Sequence, residues 1–206
     1  ALIGASEREI IWVSGATEAN NLAIFGTMAA YSDKGRHFIT QPTEHKAVLD
    51  PARVLQSRGY DVTIVPVDRC GRVDPEDIAR AIRPDTVLVS IMTANNEVGT
   101  VQPIKEISTI CRSNNVLLHT DGAQGVGKVP FDVNALGVDL VSMSAHKIYG
   151  PKGIGALYVR RKQPRVDLQA MIYGGGHERG WRSGTLNVPG IVGFGEACRL
   201  ALVEHA

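Results

Sequence analysis

Lys147 lies in a short polar loop, SAHKIYGPKG (144–153), between the apolar runs DLVSMS (139–144) and GALYVRR (155–161). Pro151 and several glycines frame this lysine, and the proline would stiffen the loop. A lysine with a lowered pKa is a nucleophile toward carbonyl groups and forms Schiff bases. Because most lysines are solvated surface residues, a reactive role for Lys147 depends on what the rest of the chain places beside it.

Four other apolar runs also end in polar or small residues. These terminal segments are 14–18, 43–46, 95–97 and 121–124. In open α/β sheets, ligands bind beyond the carboxyl ends of the strands. If the runs are strands of one sheet, the four segments and the lysine loop meet at one rim and form a single site.

Segment 14–18 has the features of an anion site. Gly15 and Ala16 are small enough for the backbone to approach a ligand closely, and Thr17 opens a predicted helix whose free N–H groups favour negative charge. The segment lacks the GxxxxGK[ST] pattern of a nucleotide-binding P-loop. An ordinary Ser/Thr helix cap is the alternative interpretation of the same residues.

Asp121 ends a predicted buried strand, where an isolated charge is costly, so it needs a partner such as a protonated heteroaromatic nitrogen. Capping of the following turn is the alternative. His45 could stack on a planar ligand, cap a helix or pack in the core, and Gln124 could donate to a ligand oxygen. Residues 95–96, two asparagines, could equally form a turn. Together with the lysine and the anion site, these are the parts that hold pyridoxal 5′-phosphate (PLP).

The elements that must position these residues alternate between strands and helices. Apolar runs predict strands at 9–13, 36–40, 61–67, 86–92, 116–120, 139–144 and 155–161. Helices are predicted within 14–31 and at 45–59, 74–82, 103–115 and about 190–204. This alternation predicts an α/β domain with a mainly parallel sheet and helices on both faces. The last two strands are joined by too few residues for a crossover helix, so that pair is predicted to be antiparallel.

Composition narrows the functional classes. The chain has 206 residues, 44% of them apolar, and a net charge of +1, which fits one domain over 1–206 and gives no electrostatic case for nucleic acid or a membrane surface. No apolar run approaches the roughly 18–20 residues of a membrane span, and no secretory signal is visible. Cys70, Cys111 and Cys198 are too sparse for a disulfide framework or a CxxC metal site. They fit a reducing, intracellular setting and are interpreted as small buried or incidental thiols.

Six segments resemble the cysteine desulfurases of iron–sulfur cluster assembly and nitrogen fixation. They are SGATEANNLAI (14–24), TEHKAVLDP (43–51), NNEVGTVQPI (95–104), HTDGAQGVGKVP (119–130), SAHKIYGPKGIGALYVRR (144–161) and GGGHERGWRSGTLNVPGIVG (174–193). The resemblance covers essentially the whole chain. It implies PLP as cofactor and the large domain of PLP fold type I, the aspartate-aminotransferase-like α/β fold.

The resemblance also implies roles around the cofactor ring. Lys147 matches the Schiff-base lysine, Asp121 the acid that pairs with the pyridine nitrogen, and His45 the histidine stacked on the ring. These three are the expected catalytic residues. Gln124 matches the donor to the cofactor's 3′-oxygen.

Further matches concern the phosphate and the substrate. The implied phosphate cradle consists of Ala16, Thr17, Ser144 and His146. Asn96 matches an asparagine near the substrate carboxylate and the cofactor. Thr185, in RSGT, matches a threonine that reaches the phosphate of the neighbouring subunit, which implies a homodimer with shared sites.

Two single-residue departures and two missing segments stand out. The family usually has Gly at the position of Ala145 and Ala or Thr at that of Gly122, and both changes should be tolerated unless Ala145 requires a positive φ. An N-terminal segment that contributes to the active site is expected to be absent. A C-terminal small domain, which carries the mobile catalytic-cysteine loop and an arginine for the substrate carboxylate, is also expected to be absent. The three cysteines lie outside any such loop motif.

The implied activity is removal of sulfur from L-cysteine, giving L-alanine and an enzyme persulfide that passes sulfur to an iron–sulfur scaffold or another acceptor protein. These residues are expected to bind PLP without completing sulfur transfer, in a bacterial cytoplasm or, in a eukaryote, a mitochondrion. A non-catalytic dimerisation or scaffold-binding module is one alternative. Another PLP enzyme, such as a selenocysteine lyase or a small-molecule aminotransferase, is a second. A dinucleotide-binding enzyme is disfavoured because no predicted strand is followed by GxGxxG with a suitably placed acid.

Overall fold

The computed structural model describes residues 1–204, which form seven strands and six α-helices around one sheet. The strands are β1 (Ile10–Val13), β2 (His37–Thr40), β3 (Asp61–Ile64), β4 (Thr86–Ser90), β5 (Leu117–Asp121), β6 (Leu140–Ser144) and β7 (Gly155–Val159). The helices are α1 (Ala16–Ala30), α2 (Lys46–Ser57), α3 (Pro75–Ala81), α4 (Ile104–Ser113), α5 (Val133–Leu136) and α6 (Val188–Glu204). Within residues 1–204, no helix is long and apolar enough to cross a bilayer.

The sheet has the strand order β1-β7-β6-β5-β4-β2-β3. The pairs β2–β3, β2–β4, β4–β5 and β5–β6 are parallel, whereas β7 is antiparallel to both of its neighbours. The prediction of a mainly parallel sheet with an antiparallel final pair is therefore confirmed. The connection between β6 and β7 is short because β7 returns directly alongside β6, so no crossover helix is needed.

Helices cover both faces of the sheet, as predicted. On one face, α1 and α2 contribute side chains such as Met28 and Leu55 to a buried cluster. On the other face, α3, α4 and α6 contribute Ile78, Ile107 and Phe194 to a second cluster. Both faces of the central strands are thus removed from water, which explains why their sequences are unbroken apolar runs.

Some elements differ from the sequence prediction. The strand predicted at 61–67 ends at Ile64, because β3 is an edge strand and its sole neighbour β2 has only four residues to pair with it. The short helix α5 was missed, and it begins at a cap formed by Asp132, whose carboxylate accepts from the N–H groups of Asn134 and Ala135. A one-turn helix has too little apolar periodicity to be recognised from the sequence.

A buried histidine ties together the three strands beneath the site. His119 of β5 is bonded through Nδ1 to Ser90 Oγ of β4 (2.8 Å) and through Nε2 to Ser142 Oγ of β6 (2.9 Å). Complete burial lowers the pKa of His119 to about 3, so the ring is neutral at physiological pH. Two residues further along the same strand and on the same face stands Asp121.

Candidate active site

A cavity of about 540 Å³ opens at the carboxyl ends of the parallel strands. Nine of the ten residues predicted for the site line it, namely Ala16, Thr17, His45, Asn96, Asp121, Gln124, Ser144, His146 and Lys147. They come from five separate strand ends, β1, β2, β4, β5 and β6. The expectation that the strand-end segments meet at one rim is confirmed, while the individual roles of these residues stay predictions.

Lys147 stands on a single 3-10 turn, Ala145–Ile148, that follows β6 directly. The turn closes where the N–H of Gly150 donates to the carbonyl of Ala145 (2.9 Å), and Tyr149 takes a left-handed conformation with φ of +63°. Ala145 itself lies in the helical turn and not among the residues with positive φ, so the methyl group in place of hydrogen is accommodated. A lysine held on one stiff turn has a defined direction into the cavity.

Asp121 is buried at the base of the cavity, and its hydrogen-bond donors are neutral. Oδ2 accepts from Asn20 Nδ2 (2.7 Å) and Oδ1 from the N–H of Ala123 (3.0 Å). Burial raises the pKa of this carboxyl, and the two hydrogen bonds offset part of that rise. A cationic ligand group at this end of the cavity would therefore stabilise the ionised carboxylate.

The side chains of His45 and Gln124 are oriented by neighbouring donors. His45 caps α2, and its Nδ1 accepts from the N–H of Ala47 (3.0 Å), so the neutral ring carries its proton on Nε2. Gln124 Oε1 accepts from Lys128 Nζ (2.6 Å), which leaves the Gln124 amide nitrogen free to donate to a ligand. Lys128 was missed in the sequence analysis, although its spacing of four residues from Gln124 was a signal for contact on a helical turn.

A second part of the cavity wall, called the anion end below, is suited to an anion. Ala16 and Thr17 belong to the first turn of α1, whose N–H groups have no partner within the helix. Ser144 Oγ lies 2.8 Å from His146 Nδ1, on the turn facing them. Desolvation and the charges of Lys147 and Lys152 lower the pKa of His146, so its ring is neutral at physiological pH. Lys152 also lines the cavity and was missed in the sequence analysis.

Gly155 fixes the distance between β7 and this anion end. A Cβ at this position would lie 2.6 Å from the Cα of Gly15 and 2.6 Å from the carbonyl oxygen of Met143. Gly155→Ala is expected to destabilise the protein by about 1–3 kcal/mol, because backbone on both sides must move. Urea unfolding measures this loss, and Gly195→Ala, in a helix position with open space, serves as the matched control. An unchanged unfolding midpoint for Gly155→Ala would contradict the close approach.

Thr185 and the three cysteines lie apart from the cavity. Thr185 is exposed and is not among the lining residues. Within residues 1–204, Cys70 is exposed, Cys111 is buried and Cys198 is partly buried, and none of them lines the cavity. Burial also raises the pKa of the Cys111 thiol, which keeps it protonated. The cavity as described holds no nucleophilic sulfur.

The family model for the class-V aminotransferases matches residues 1–204. The chain belongs to the class-V aminotransferase family. Class-V aminotransferases and the cysteine desulfurases similar to this chain are PLP-dependent enzymes. Within that family, the chain is 60% identical over 204 residues to the cysteine desulfurase IscS of Anaeromyxobacter dehalogenans, covering 99% of this chain and 50% of that protein.

Two solved structures have the same fold as this chain. A NifS-like protein is 44% identical and superimposes with a TM-score of 0.93 over 98% of this chain and 55% of its own. SspA in complex with cysteine is 43% identical, with a TM-score of 0.90 over 96% of this chain and 57% of its own. The predicted PLP fold type I is confirmed by this likeness. The chain spans about half the length of the curated relatives it matches.

Proposed function

We propose that these residues form the PLP-binding large domain of a cysteine desulfurase. One observation carries the proposal: Lys147, the buried Asp121 and the open first turn of α1 face one cavity of about 540 Å³. A cavity of that size fits a cofactor, and its lining matches the cofactor's chemistry, with a buried carboxylate for a ring nitrogen and free N–H groups for a phosphate.

Each lining residue has a definite task in this proposal. Lys147 Nζ would attach the cofactor's aldehyde and later carry the proton of the substrate's Cα. Asp121 would hold a proton at the ring nitrogen, His45 would pack on the ring, and Gln124 would donate to the ring oxygen. The bound cofactor supplies an electron-accepting ring that stabilises negative charge at the Cα of an amino acid.

The remaining site residues are assigned to the cofactor's phosphate and to the substrate's carboxylate. We assign the phosphate to Ala16, Thr17, Ser144 and His146. Asn96, exposed at the rim, is assigned to the substrate carboxylate.

The sulfur-accepting thiol is proposed to come from a cysteine other than the three in this chain. Cys70, Cys111 and Cys198 lie outside the cavity, so none can reach a substrate bound there without a large rearrangement. In the complete reaction the C–S bond of L-cysteine breaks, an S–S bond forms on the accepting thiol, and the substrate carbon takes a proton to give L-alanine. The persulfide would then pass its sulfur to an iron–sulfur scaffold or another acceptor protein.

A homodimer is proposed because of the exposed residues of the segment 171–185, which contains Thr185. Thr185 is exposed, and the start of the same segment presents Met171, Ile172 and Tyr173 to solvent. Exposed apolar side chains grouped in this way are typical of a protein interface. A partner subunit covering them would bring each Thr185 toward the other subunit's phosphate site. A bacterial cytoplasm is the proposed location, or a mitochondrion in a eukaryote.

Titration of the purified chain with PLP, followed by L-cysteine, tests the function. We expect a visible absorption band that saturates with PLP and changes on addition of L-cysteine, without accumulation of alanine or sulfide. The triple variant Cys70→Ser, Cys111→Ser, Cys198→Ser should behave identically. Alanine and sulfide from the chain alone would contradict the assignment of the thiol. A folded chain without the band would contradict PLP binding and favour a non-catalytic module.

A further inference from the structure

An ion pair stands beside the anion end of the cavity. Arg182 Nε donates to Glu18 Oε1 (2.7 Å), and Arg182 Nη2 lies 3.4 Å from Glu18 Oε2. The two side chains are only 20% and 18% exposed, so the pair is poorly screened by solvent. The residues are 164 positions apart in the chain, so tertiary structure alone brings them together.

Glu18 poses an electrostatic problem for phosphate binding. It is the third residue of α1, it lines the cavity, and its Oε2 accepts from the N–H of Ser14 (2.8 Å). Although burial acts to raise its pKa, the hydrogen bonds from Arg182 and Ser14 outweigh that effect and lower the pKa, so the carboxylate is ionised. An uncompensated carboxylate there would compete with a phosphate for the positive end of the helix.

The segment that carries Arg182 is held along β1 by separate contacts. Glu178 Oε2 accepts from the N–H of Trp12 (2.8 Å), and Arg179 Nη1 donates to the carbonyl of Ile10 (3.1 Å). The N–H of Ser183 donates to the carbonyl of Ile172 (3.1 Å), which closes the segment on itself. The guanidinium is therefore delivered to Glu18 by a framework that does not depend on the ion pair.

We propose that Arg182 is a positioning residue whose guanidinium neutralises Glu18, so that the first turn of α1 attracts a phosphate group. This inference rests on the proposed PLP site and deepens it by adding a residue outside the cavity lining. Arg182 suits the task because its planar fork matches a carboxylate and its charge does not titrate. Because Arg182 is three residues before Thr185, its bond to Glu18 also links the segment 171–185 to the proposed phosphate cradle of the same subunit.

Neutralisation predicts opposite effects for the two single substitutions. Arg182→Gln leaves the charge of Glu18 without a cationic partner, and the dissociation constant for PLP is expected to rise about tenfold, within the range for a charge at a helix terminus. Glu18→Gln removes the anion and keeps the cation, so PLP binding should be unchanged or tighter. The double variant should return to within about twofold of the parent chain, a non-additivity expected only for interacting residues.

A structural role would give a different pattern. If the pair only holds the fold together, both single substitutions weaken binding and the double variant does not recover, which would overturn the proposal. Arg199→Gln is the matched control, since it removes the same charge from another ion pair, with Glu196, whose two residues do not line the cavity. It should leave the dissociation constant within about twofold. Because the Glu18 side chain is only 18% exposed, the Arg182→Gln effect should persist at raised ionic strength.

Inorganic phosphate separates this proposal from the PLP assignment. The dissociation constant for inorganic phosphate, measured by phosphorus NMR, should follow the order predicted for PLP: highest for Arg182→Gln, and similar to or below that of the parent chain for Glu18→Gln. If phosphate follows the order but PLP does not bind, the proposed function fails and the role of Arg182 stands. If PLP binds through Lys147 but neither ligand distinguishes Arg182→Gln from the parent chain, only the role of Arg182 is overturned. If Arg182→Gln does not fold, weaker phosphate binding by Glu18→Gln is sufficient to reject the proposal.

Discussion

Lys147→Ala is expected to abolish the visible absorption band of the PLP-saturated chain. The rigid turn that follows β6 positions this amine in the cavity wall. Its removal leaves no group on that turn for covalent attachment of an aldehyde. Reductive trapping with borohydride followed by peptide mass spectrometry provides a second readout. In the parent chain, one cofactor mass should be found on the peptide that contains Lys147, and none should be found in the variant.

The control must distinguish loss of the reactive amine from loss of positive charge. Lys46 is exposed at the start of α2, next to His45, and is not among the residues that line the cavity. Lys46→Ala should keep both the band and the trapped mass. A trapped mass that persists in Lys147→Ala, or that maps to Lys152 in the parent chain, would show that the wrong lysine was chosen.

Most of the site could be predicted because neighbouring parallel strands place their carboxyl ends at the same edge of the sheet, even when these ends are far apart in the sequence. Asp121 and Lys147 are separated by 26 positions, yet Asp121 ends β5, Lys147 lies three residues after β6, and β5 and β6 are neighbours. Recognition of the apolar runs was therefore enough to bring the two residues to the same rim. The strand boundaries mattered little, since an error of one or two residues does not move a strand end to the other side of the sheet.

Contacts between side chains could not be predicted in the same way. Glu18 and Arg182 meet because the segment after β7 folds back along β1, and nothing in either local sequence encodes that path. The contact between Lys128 and Gln124 is local and their spacing of four residues was a signal for it, but the turn between them has no apolar periodicity that would mark it as helical. Pairing of this kind is decided by the three-dimensional path of loops, which composition and spacing do not specify.

Glu44 is a buried acid that precedes His45 and joins two parts of the site. Its Oε1 accepts from Gln41 Nε2 (2.9 Å) and from the N–H of Met92 (2.6 Å), a residue of the cavity wall beyond β4. Burial raises the pKa of Glu44 to about 8, the nearby Asp121 acts in the same direction, and the two hydrogen bonds oppose the rise. The carboxyl is therefore protonated in the folded state at neutral pH.

Glu44→Gln is expected to remove a pH-dependent loss of stability. From pH 4.5, the ordinary pKa, to about pH 8, the folded state binds the Glu44 proton more tightly than the unfolded state. Stability therefore falls as pH rises through this window. At about 1.36 kcal/mol per pKa unit, the free energy of unfolding of the parent chain should drop relative to Glu44→Gln by about 3–4 kcal/mol between pH 5 and pH 8. Urea unfolding of both proteins across that range measures the difference.

Glu97→Gln provides the comparison, because it removes a carboxyl from the exposed loop beyond Met92 without altering a buried one. Its unfolding free energy should run parallel to that of the parent chain from pH 5 to pH 8. A parallel curve for Glu44→Gln as well would show that Glu44 is ionised in the folded protein, with its charge compensated. Glu44 connects the loop of His45 to the end of β4, and the buried charge formed as pH rises through about 8 would favour opening of the cavity wall from which both His45 and Asn96 reach the ligand. PLP affinity should therefore fall as pH rises through about 8, at the upper end of the window in which stability is lost.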